Sequence, residues 1–194
     1  MMFKKKLFKN AKKIDRFLIK YLKNQKQSLL INPMKYGVIS GGKKIRSTII
    51  FDAAKIFNIK EKKLINIAAA VECIHSYSLI QDDLPCMDND SLRRGKPTTH
   101  IKYGEASAVL AGSSLLTLAF EIITDKKFKL NSKSKNQIVS SLAICSGHTG
   151  IAGGQELDLK FENKNKKLNQ IVDMQKKKNW KIIYLLFICC RRCR

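Results

Sequence analysis

Apolar residues recur at helical spacing in the first part of the chain. Between Phe3 and Leu22 they return every three or four positions with Lys between them, which predicts an amphipathic helix. A basic amphipathic start is also typical of a transit peptide or a membrane-surface helix. An ordinary first helix packed on a bundle is the simpler interpretation, and Asn32-Pro33 marks a break after it.

Longer apolar segments predict the remaining helices. Residues 64–80 are rich in Ala, Leu and Ile and contain neither Gly nor Pro, which favours a helix over a strand. No segment shows a convincing strand alternation, and no internal repeat is present. The expected fold class is therefore all-α, a helical bundle. Other helices are predicted over 45–57, 105–123, 137–145 and 155–159, with a polar linker over 126–135.

The formal net charge of +23 is extreme and has two interpretations. A basic chain is suited to nucleic acid or to an anionic membrane. An AT-rich coding sequence also enriches Lys, Asn and Ile, and it fits better because Lys outnumbers Arg and is scattered along the chain. Aromatic residues are not interleaved with the basic ones as a stacking platform requires. We therefore expect no nucleic-acid partner.

Six cysteines and the short apolar segment near the end bear on localisation. No long apolar run precedes the cysteines as a secretory signal would, so free thiols and a cytoplasmic location are expected. Residues 182–190 are apolar but far shorter than the ~20 residues that span a bilayer, so no stable membrane anchor is expected. Cys189, Cys190 and Cys193 lack a second ligand pair at zinc spacing.

A crowded group of carboxylates follows the apolar segment that ends at residue 80. Asp82 and Asp83 stand just before Pro85, and Asp88 follows. Such carboxylates repel each other unless a cation lies among them, and oxygen ligands suit Mg²⁺. Asp82 and Asp88 would diverge on an unbroken helix, but an interruption at Pro85 would return them to one side. A solvated polar loop is the alternative for the acidic residues taken alone.

Adjacent arginines strengthen the interpretation of this segment. Arg93 and Arg94 follow the carboxylates within a few residues and supply planar forks that match phosphate oxygens. Carboxylates, a metal ion and arginine guanidinium groups together are typical of a diphosphate-binding site. A calcium-binding loop fits poorly because the order of ligands is wrong and no Glu closes it.

A second basic group lies upstream, in Gly41-Gly42-Lys43-Lys44-Ile45-Arg46. Glycines before a helix start, with Lys and Arg beside them, make an anion cradle, although a merely basic helix start explains this segment equally well. His75 lies two helical turns before Asp82 and so on nearly the same face. A lone His on an apolar helix is more often a core residue, but its place near the acidic group favours a role in the site.

These motifs resemble those of the trans-prenyl diphosphate synthases of the bacterial farnesyl type. The upstream Gly-Gly-Lys-Lys-Ile-Arg is similar to that family's first basic motif, and residues 75–100 to its first aspartate-rich motif. Gly154-Gln155-Glu156-Leu157-Asp158-Leu159 also resembles a family segment. The resemblance covers residues 1 to about 178, and 1–178 is expected to be the N-terminal part of one prenyl synthase domain.

The resemblance implies the chemistry and the roles of the residues. Mg²⁺ would bridge Asp82 and Asp88, with Asp83, to the diphosphate of an allylic substrate. Arg93 would hold the same diphosphate, so that Asp82, Asp88 and Arg93 form the catalytic group. Isopentenyl diphosphate would then attack the allylic cation, and two rounds from dimethylallyl diphosphate would give farnesyl diphosphate. The residues implied to bind the substrates are Lys43, Arg46, His75, Arg93, Arg94 and Lys178.

The resemblance also bears on product length and assembly. Tyr77 stands five residues before Asp82, where a large ring would form the floor of the pocket and stop growth at the farnesyl length. Geranylgeranyl diphosphate is the alternative product, and plain core packing is the alternative role of Tyr77. A complete member of this family would be a homodimer.

The chain departs from the family pattern after Lys178. The family has Lys-Thr-Gly at this point and a second aspartate-rich motif later, whereas here Asn179 and Trp180 follow and the later motif is absent. Removing one base from the preceding run of Lys codons turns AAC TGG into ACT GGA, which encodes Thr-Gly. A frameshift would make residues 179–194 an out-of-frame tail. The 194-residue chain is then expected to be poorly soluble or inactive.

Three functions remain open from the sequence. The chain is a prenyltransferase, or a non-catalytic remnant that keeps the first half of the fold, or a basic helical protein that binds nucleic acid. Magnesium-dependent diphosphate binding that Asp82→Ala abolishes would favour the first, and a steep salt dependence of DNA binding would favour the third.

Overall fold

The computed structural model describes residues 2–39 and 41–180, and these residues form a helical bundle. The all-α prediction is confirmed. Short elements complete the chain: a 3-10 turn at Glu61–Lys63, strands β1 (Leu92–Arg93) and β2 (Lys96–Pro97), and a π-helical turn at Lys176–Trp180. The helices are α1 (Met2–Lys23), α2 (Ile31–Ile39), α3 (Ile45–Ile56), α4 (Ile65–Asp82), α5 (Thr99–Tyr103), α6 (Glu105–Thr124), α7 (Ser132–Ser146), α8 (Ile151–Phe161) and α9 (Leu168–Gln175).

Helix α4 forms the centre of the bundle. Thirteen of its eighteen residues are buried, including a run of three alanines at 68–70. A helix that is apolar on nearly all sides has to be enclosed by others. Helix α6 packs most extensively on it, with α1, α2 and α3 around the remaining sides. Because α4 is held on every side, it is a rigid support for the polar residues that it carries.

Helix α6 is long and apolar enough to cross a membrane by length and composition. A core helix of a folded domain passes the same test. Eight residues of α6 are buried in the bundle, and Leu115, Ile122 and Ile123 have no exposed surface. Its composition is explained by packing on α4.

Two elements differ from the sequence-based expectation. The sequence predicts a break at Asn32-Pro33, but Pro33 lies in the first turn of α2. Backbone N–H groups of a first turn have no partner within the helix, so the N–H that proline lacks is not missed there. The hairpin β1–β2 was not predicted because its strands have only two residues each, too few to show alternation.

An asparagine caps the start of α7. The Asn131 side chain accepts a hydrogen bond from the Ser134 backbone N–H at 2.8 Å. We expect Asn131→Ala to lower the free energy of unfolding by about 1 kcal/mol, because that N–H loses its partner. Urea denaturation followed by circular dichroism measures this. Asn131→Ser keeps an oxygen acceptor and should lose only a few tenths of that amount; an equal loss in both variants would contradict a capping role.

The expected out-of-frame tail lies almost entirely outside the described residues. Of 179–194, the structure describes only the backbone of the first two, in the π-helical turn. Cys189, Cys190 and Cys193 are among the residues that are not described. Within the described part, Cys73, Cys86 and Cys145 are free thiols, as expected.

Candidate active site

The acidic segment folds back on itself directly after α4. Asp82 is the last residue of α4, and the helix ends before Pro85. The Asp88 backbone N–H donates to the Asp82 carbonyl at 2.9 Å. The interruption therefore returns Asp88 to the end of the helix that carries Asp82, as the sequence predicts.

Asp82 is buried, and groups from distant parts of the chain contact it. Gln155 Nε2 on α8 donates to Asp82 Oδ1 at 2.9 Å and to the Ser78 carbonyl at 3.0 Å. The Lys178 ammonium lies 3.6 Å from Asp82 Oδ2 and forms a close ion pair with Asp158. A single cation thus stands between two carboxylates that belong to different helices.

The neighbouring carboxylates affect one another. The pKa of Asp88 is raised by burial and then by the negative charges of Asp82 and Asp158, while Lys178 opposes the rise. Asp88 and Asp158 both line a cavity of about 360 Å³, whose other walls combine apolar residues of α8 and α9 with the charged Glu162, Lys164 and Lys166. Mutual repulsion of this kind is relieved by a bound cation.

Asp83 lies apart from this group. Its carboxylate accepts from Arg93 Nε at 2.5 Å and pairs with a second nitrogen of the same guanidinium group. Arg93 also reaches Asp90 Oδ2 at 3.4 Å. Burial raises the pKa of Asp83, and Arg93 opposes the rise. Among the residues that the structure describes, no three Asp, Glu, His or Cys side chains are close enough together to form a complete metal site.

A tight hairpin carries both arginines. Leu92 pairs with Pro97 and Arg93 with Lys96, which leaves Arg94 and Gly95 as a two-residue turn. Both have positive φ, 55° and 74°, as in a type I′ turn. The Tyr36 hydroxyl donates to the Pro97 carbonyl at 2.7 Å and ties the hairpin to α2. A non-glycine residue held at positive φ is frequent at functional sites.

The predicted basic group assembles around His75, two turns before Asp82 on α4. Arg94 reaches across from the hairpin and donates to the Gly41 carbonyl, while Arg46 Nη1 lies 3.1 Å from His75 Nε2. Lys43 lines the same cavity of about 390 Å³. The structure therefore brings together the four residues that the sequence assigns to the second diphosphate: Lys43, Arg46, His75 and Arg94.

The two adjacent lysines of the glycine-rich loop differ in environment. Lys44 is buried, has a left-handed backbone with φ 43°, and its Nζ donates to the Val38 carbonyl at 2.8 Å. It also lies 3.3 Å from Asp15 Oδ1. Lys44 thus holds the loop against α1 and α2, whereas Lys43 is exposed beside the cavity.

Three residues of the site were not assigned from the sequence. Gln155 and Asp158 belong to the segment that resembles the family, and their i, i+3 spacing, which places them on one helix face, is the signal that the sequence offers. Glu72 lies three residues before His75 and is buried. It accepts from the Ser47 hydroxyl at 2.7 Å and from the Ser47 backbone N–H at 3.2 Å, in the first turn of α3.

Tyr77 is buried between α4 and α6. A Cβ on Gly112 would lie 3.6 Å from the Tyr77 ring, so the ring packs directly against α6 at a position with no side chain. Its role in chain length stays a prediction.

His75 is held in its neutral form. Burial, followed by the charges of Arg46 and Arg94, lowers its pKa to about 2 from the ordinary 6.5. Below about pH 6.5 the His75 imidazole binds a proton in the unfolded chain but not in the folded chain. The free energy of unfolding therefore decreases as the pH is lowered between these two values. Lowering the pH from about 7 to about 5 should therefore reduce the free energy of unfolding of His75→Gln less than that of the parent chain, by on the order of 1 kcal/mol.

Urea denaturation at the two pH values measures this difference. The matched control is His148→Gln, which removes an imidazole from an exposed position. An unchanged pH dependence in His75→Gln would contradict the burial of a neutral imidazole.

The molecule is thus a helical bundle whose central helix, α4, carries a group of carboxylates at its end and a basic cavity two turns earlier. A sequence profile of the family described as "Polyprenyl synthetase" matches residues 27–191, and the chain belongs to this family. It is 43% identical over 155 residues to farnesyl diphosphate synthase from Escherichia coli, which covers 79% of this chain and 52% of that protein.

Further relatives agree with this assignment. The chain is 44% identical over 156 residues to farnesyl diphosphate synthase from Buchnera aphidicola, covering 80% of this chain and 55% of that protein. The solved structure of geranyltransferase from Legionella pneumophila matches all of this chain and 69% of its own, with 32% identity and a TM-score of 0.93. The chain therefore spans about half the length of the curated relatives that it matches.

Proposed function

We propose that this chain is the N-terminal part of a prenyltransferase that joins isopentenyl diphosphate to dimethylallyl or geranyl diphosphate, giving farnesyl diphosphate. One observation carries the proposal: α4 bears Asp82 beside the cavity that Asp88 and Asp158 line, the acidic cavity, and it bears His75 two turns earlier in a basic cavity. The basic cavity suits a diphosphate bound through protein cations, and the acidic one suits a diphosphate bound through metal. The names of the bacterial relatives support this substrate class.

The acidic cavity suits Mg²⁺ as the metal. Asp82 and Asp88 would provide its protein ligands, with Asp158 beside them, because these carboxylates repel one another and the Lys178 ammonium now lies between Asp82 and Asp158. Diphosphate oxygens would supply the ligands that the protein does not. Asp83 would join this set only when Arg93 releases it. Mg²⁺ usually takes few protein ligands and completes its shell with water and phosphate oxygens. When bound, it would neutralise negative charge on the leaving diphosphate.

The protein cations would bind and orient both substrates. Arg93 and Lys178 would bind the allylic diphosphate, and their ion pairs with Asp83 and Asp82 support this role. Arg46, Arg94 and the neutral His75 would hold isopentenyl diphosphate together with Lys43. In the reaction the allylic C–O bond breaks, the double bond of isopentenyl diphosphate attacks the allylic cation, and the departing diphosphate takes the proton that is lost. Arg93 stabilises the charge that builds on that diphosphate.

Product length is assigned to Tyr77. Its ring packs against Gly112 across the α4–α6 contact, so it would limit an allylic chain that grows downward from Asp82. Farnesyl diphosphate is the product that we propose, and geranylgeranyl diphosphate is the alternative. Product chromatography of a Tyr77→Ala variant would distinguish pocket floor from core packing, since only the former lengthens the product.

Assembly and localisation extend the proposal. Helix α6 exposes Val109 and Leu110 beside its buried face, which supports association of two copies as a homodimer. Sedimentation velocity would test this.

A cytoplasmic location is proposed from the free thiols of the described residues.

We propose that residues 1–178 belong to the synthase domain and that 179–194 are read out of frame. Helix α9 leaves Leu168 76% exposed, with Ile171 and Val172 also exposed, as expected if further helices belong over it. Sequencing the coding DNA would test the frameshift: an unbroken frame that encodes Asn-Trp after Lys178 in related genomes would contradict it.

A condensation assay tests the function. Purified 194-residue chain, supplied with labelled isopentenyl and dimethylallyl diphosphates and magnesium, is expected to give no product, whereas residues 1–178 joined to the C-terminal part of the Escherichia coli relative should give farnesyl diphosphate. Ordinary turnover by the 194-residue chain would contradict the inactivity. A folded but inactive fusion that binds no diphosphate would favour a non-catalytic remnant.

A further inference from the structure

Helix α1 presents an outer face of unusual composition. Every exposed residue between positions 3 and 23 is either basic or apolar, and none is acidic or neutral polar. Most of them follow a helical stripe with spacings of three and four, opposite the buried Leu7, Ile14 and Leu18. The exposed residues are Phe3, Lys4, Lys5, Phe8, Lys9, Lys12, Arg16, Ile19, Lys20 and Lys23.

The positive charge of this face is not compensated nearby. The one acidic residue of α1, Asp15, faces Lys44 at 3.3 Å. The half-buried Lys6 and Lys13 at the edge of the helix pair with Asp52 and Glu61. Within residues 2–39 and 41–180, no ion pair involves any of the seven exposed bases of α1.

Aromatic and aliphatic side chains lie on the same outer surface. Phe8 is 63% exposed, and the Lys12 ammonium lies 4.3 Å from the centre of its ring. Asn10 contacts Thr48 and Lys6 contacts Asp52, so α3 runs antiparallel to α1. Ile19 is exposed on the same stripe as Phe8, eleven residues and three turns further along α1.

We propose that the outer face of α1 binds the surface of an anionic phospholipid bilayer. Lys and Arg would contact lipid phosphates through their charged ends while their methylene stems cover apolar surface. Phe8 would enter the boundary between headgroups and acyl chains, as in helices that lie in the membrane plane, whereas Phe3 lies on the helix face that carries the buried Leu7. The bundle would remain folded, because Ile14 and its neighbours stay packed in the core.

Other occupants fit this face less well. A second copy would bring two strongly positive faces together, which like charges oppose. Single-stranded nucleic acid requires aromatic rings along a groove on which bases stack, whereas Phe3 and Phe8 lie at one end of a single convex helix. The inference does not rest on the proposed enzyme activity.

Vesicle flotation with the intact chain tests the charge. We expect binding to phosphatidylcholine vesicles that contain phosphatidylglycerol, little binding to pure phosphatidylcholine, and weaker binding at raised salt. Lys5→Gln/Lys9→Gln/Arg16→Gln should weaken binding ~100-fold, at roughly 5-fold per residue. The control Lys129→Gln/Lys133→Gln/Lys164→Gln removes the same charge from exposed positions elsewhere and should change binding less than ~3-fold.

Two further variants separate insertion from general attraction. Phe8→Ser keeps every charge and should weaken vesicle binding ~10-fold. Phe8→Trp, with Trp180→Phe to remove the natural tryptophan, should show a blue shift of emission on anionic vesicles. Circular dichroism checks that each variant keeps its helices.

The results would decide between the alternatives. Failure to bind anionic vesicles, equal losses in the two charge variants, or no effect of Phe8→Ser would overturn the proposal. Tight RNA binding that is lost with the α1 charges but not with Phe8→Ser, together with weak vesicle binding, would assign the face to nucleic acid instead. Each of these outcomes leaves the condensation chemistry untouched.

Discussion

Asp82→Asn is expected to abolish magnesium-dependent binding of inorganic pyrophosphate by this chain. The substitution keeps the size of the side chain but removes the charge on the helix end that Asp88 folds back to meet. We expect the affinity in the presence of magnesium to fall by at least ~100-fold, because loss of even a supporting residue of a metal site costs 10–100-fold. Isothermal titration calorimetry, with and without magnesium, measures it.

The measurement without magnesium is informative in its own right. Asp82 repels a bare anion, so pyrophosphate should bind Asp82→Asn somewhat better than it binds the parent chain when the metal is removed. Asp90→Asn is the matched control, since Asp90 is exposed in the same loop and contacts Arg93 only at 3.4 Å. Equal losses in the two variants, or a parent chain that does not respond to magnesium, would refute a metal role for Asp82.

Gly42→Ala is expected to weaken binding of isopentenyl diphosphate ~10- to 100-fold, the range for losing charge-assisted hydrogen bonds from one guanidinium. A Cβ at this position would lie 2.3 Å from Arg94 Nη1 and 2.6 Å from Arg94 Cζ. The guanidinium group would have to leave the place from which it faces the basic cavity. The backbone there has φ 106°, which adds strain of about 1 kcal/mol.

The neighbouring glycine separates these two effects. Gly41 has φ 92°, but a Cβ on it would meet nothing within 4 Å. Gly41→Ala should therefore lower stability to a similar extent while leaving ligand affinity nearly unchanged. Thermal melting reports the first quantity and calorimetric titration the second. If both variants lose affinity alike, backbone strain rather than the displacement of Arg94 explains the result.

The large helices could be predicted because burial leaves a strong trace in the sequence. The apolar segment before Asp82 and the segment from Glu105 both became core helices within a few residues of the expected bounds. Pro33 misled the interpretation because a proline has a different effect in the first turn of a helix than inside it. The β1–β2 hairpin depends on Arg94 at positive φ, a conformation for which the residue type gives no signal.

The candidate site shows a similar division. The return of Asp88 to Asp82 followed from one proline, a local cause. Which lysine of Lys43-Lys44 is exposed beside the cavity and which is buried depends on Val38 and Asp15, which lie elsewhere in the chain. The pairing of Asp83 with Arg93, rather than with a shared cation, likewise needs the hairpin geometry. Long-range contacts of this kind leave no periodic pattern for a sequence to reveal.

Because a single rigid helix carries both His75 and Asp82, α4 fixes the distance between them. Seven residues correspond to about 10.5 Å along the axis and nearly two complete turns, so both side chains point the same way. Changes in the loops at either end of α4 leave this spacing unaltered. Inserting one residue between them would rotate the two positions apart by ~100°. The two diphosphates that we propose to bind there would then no longer lie on the same side of α4.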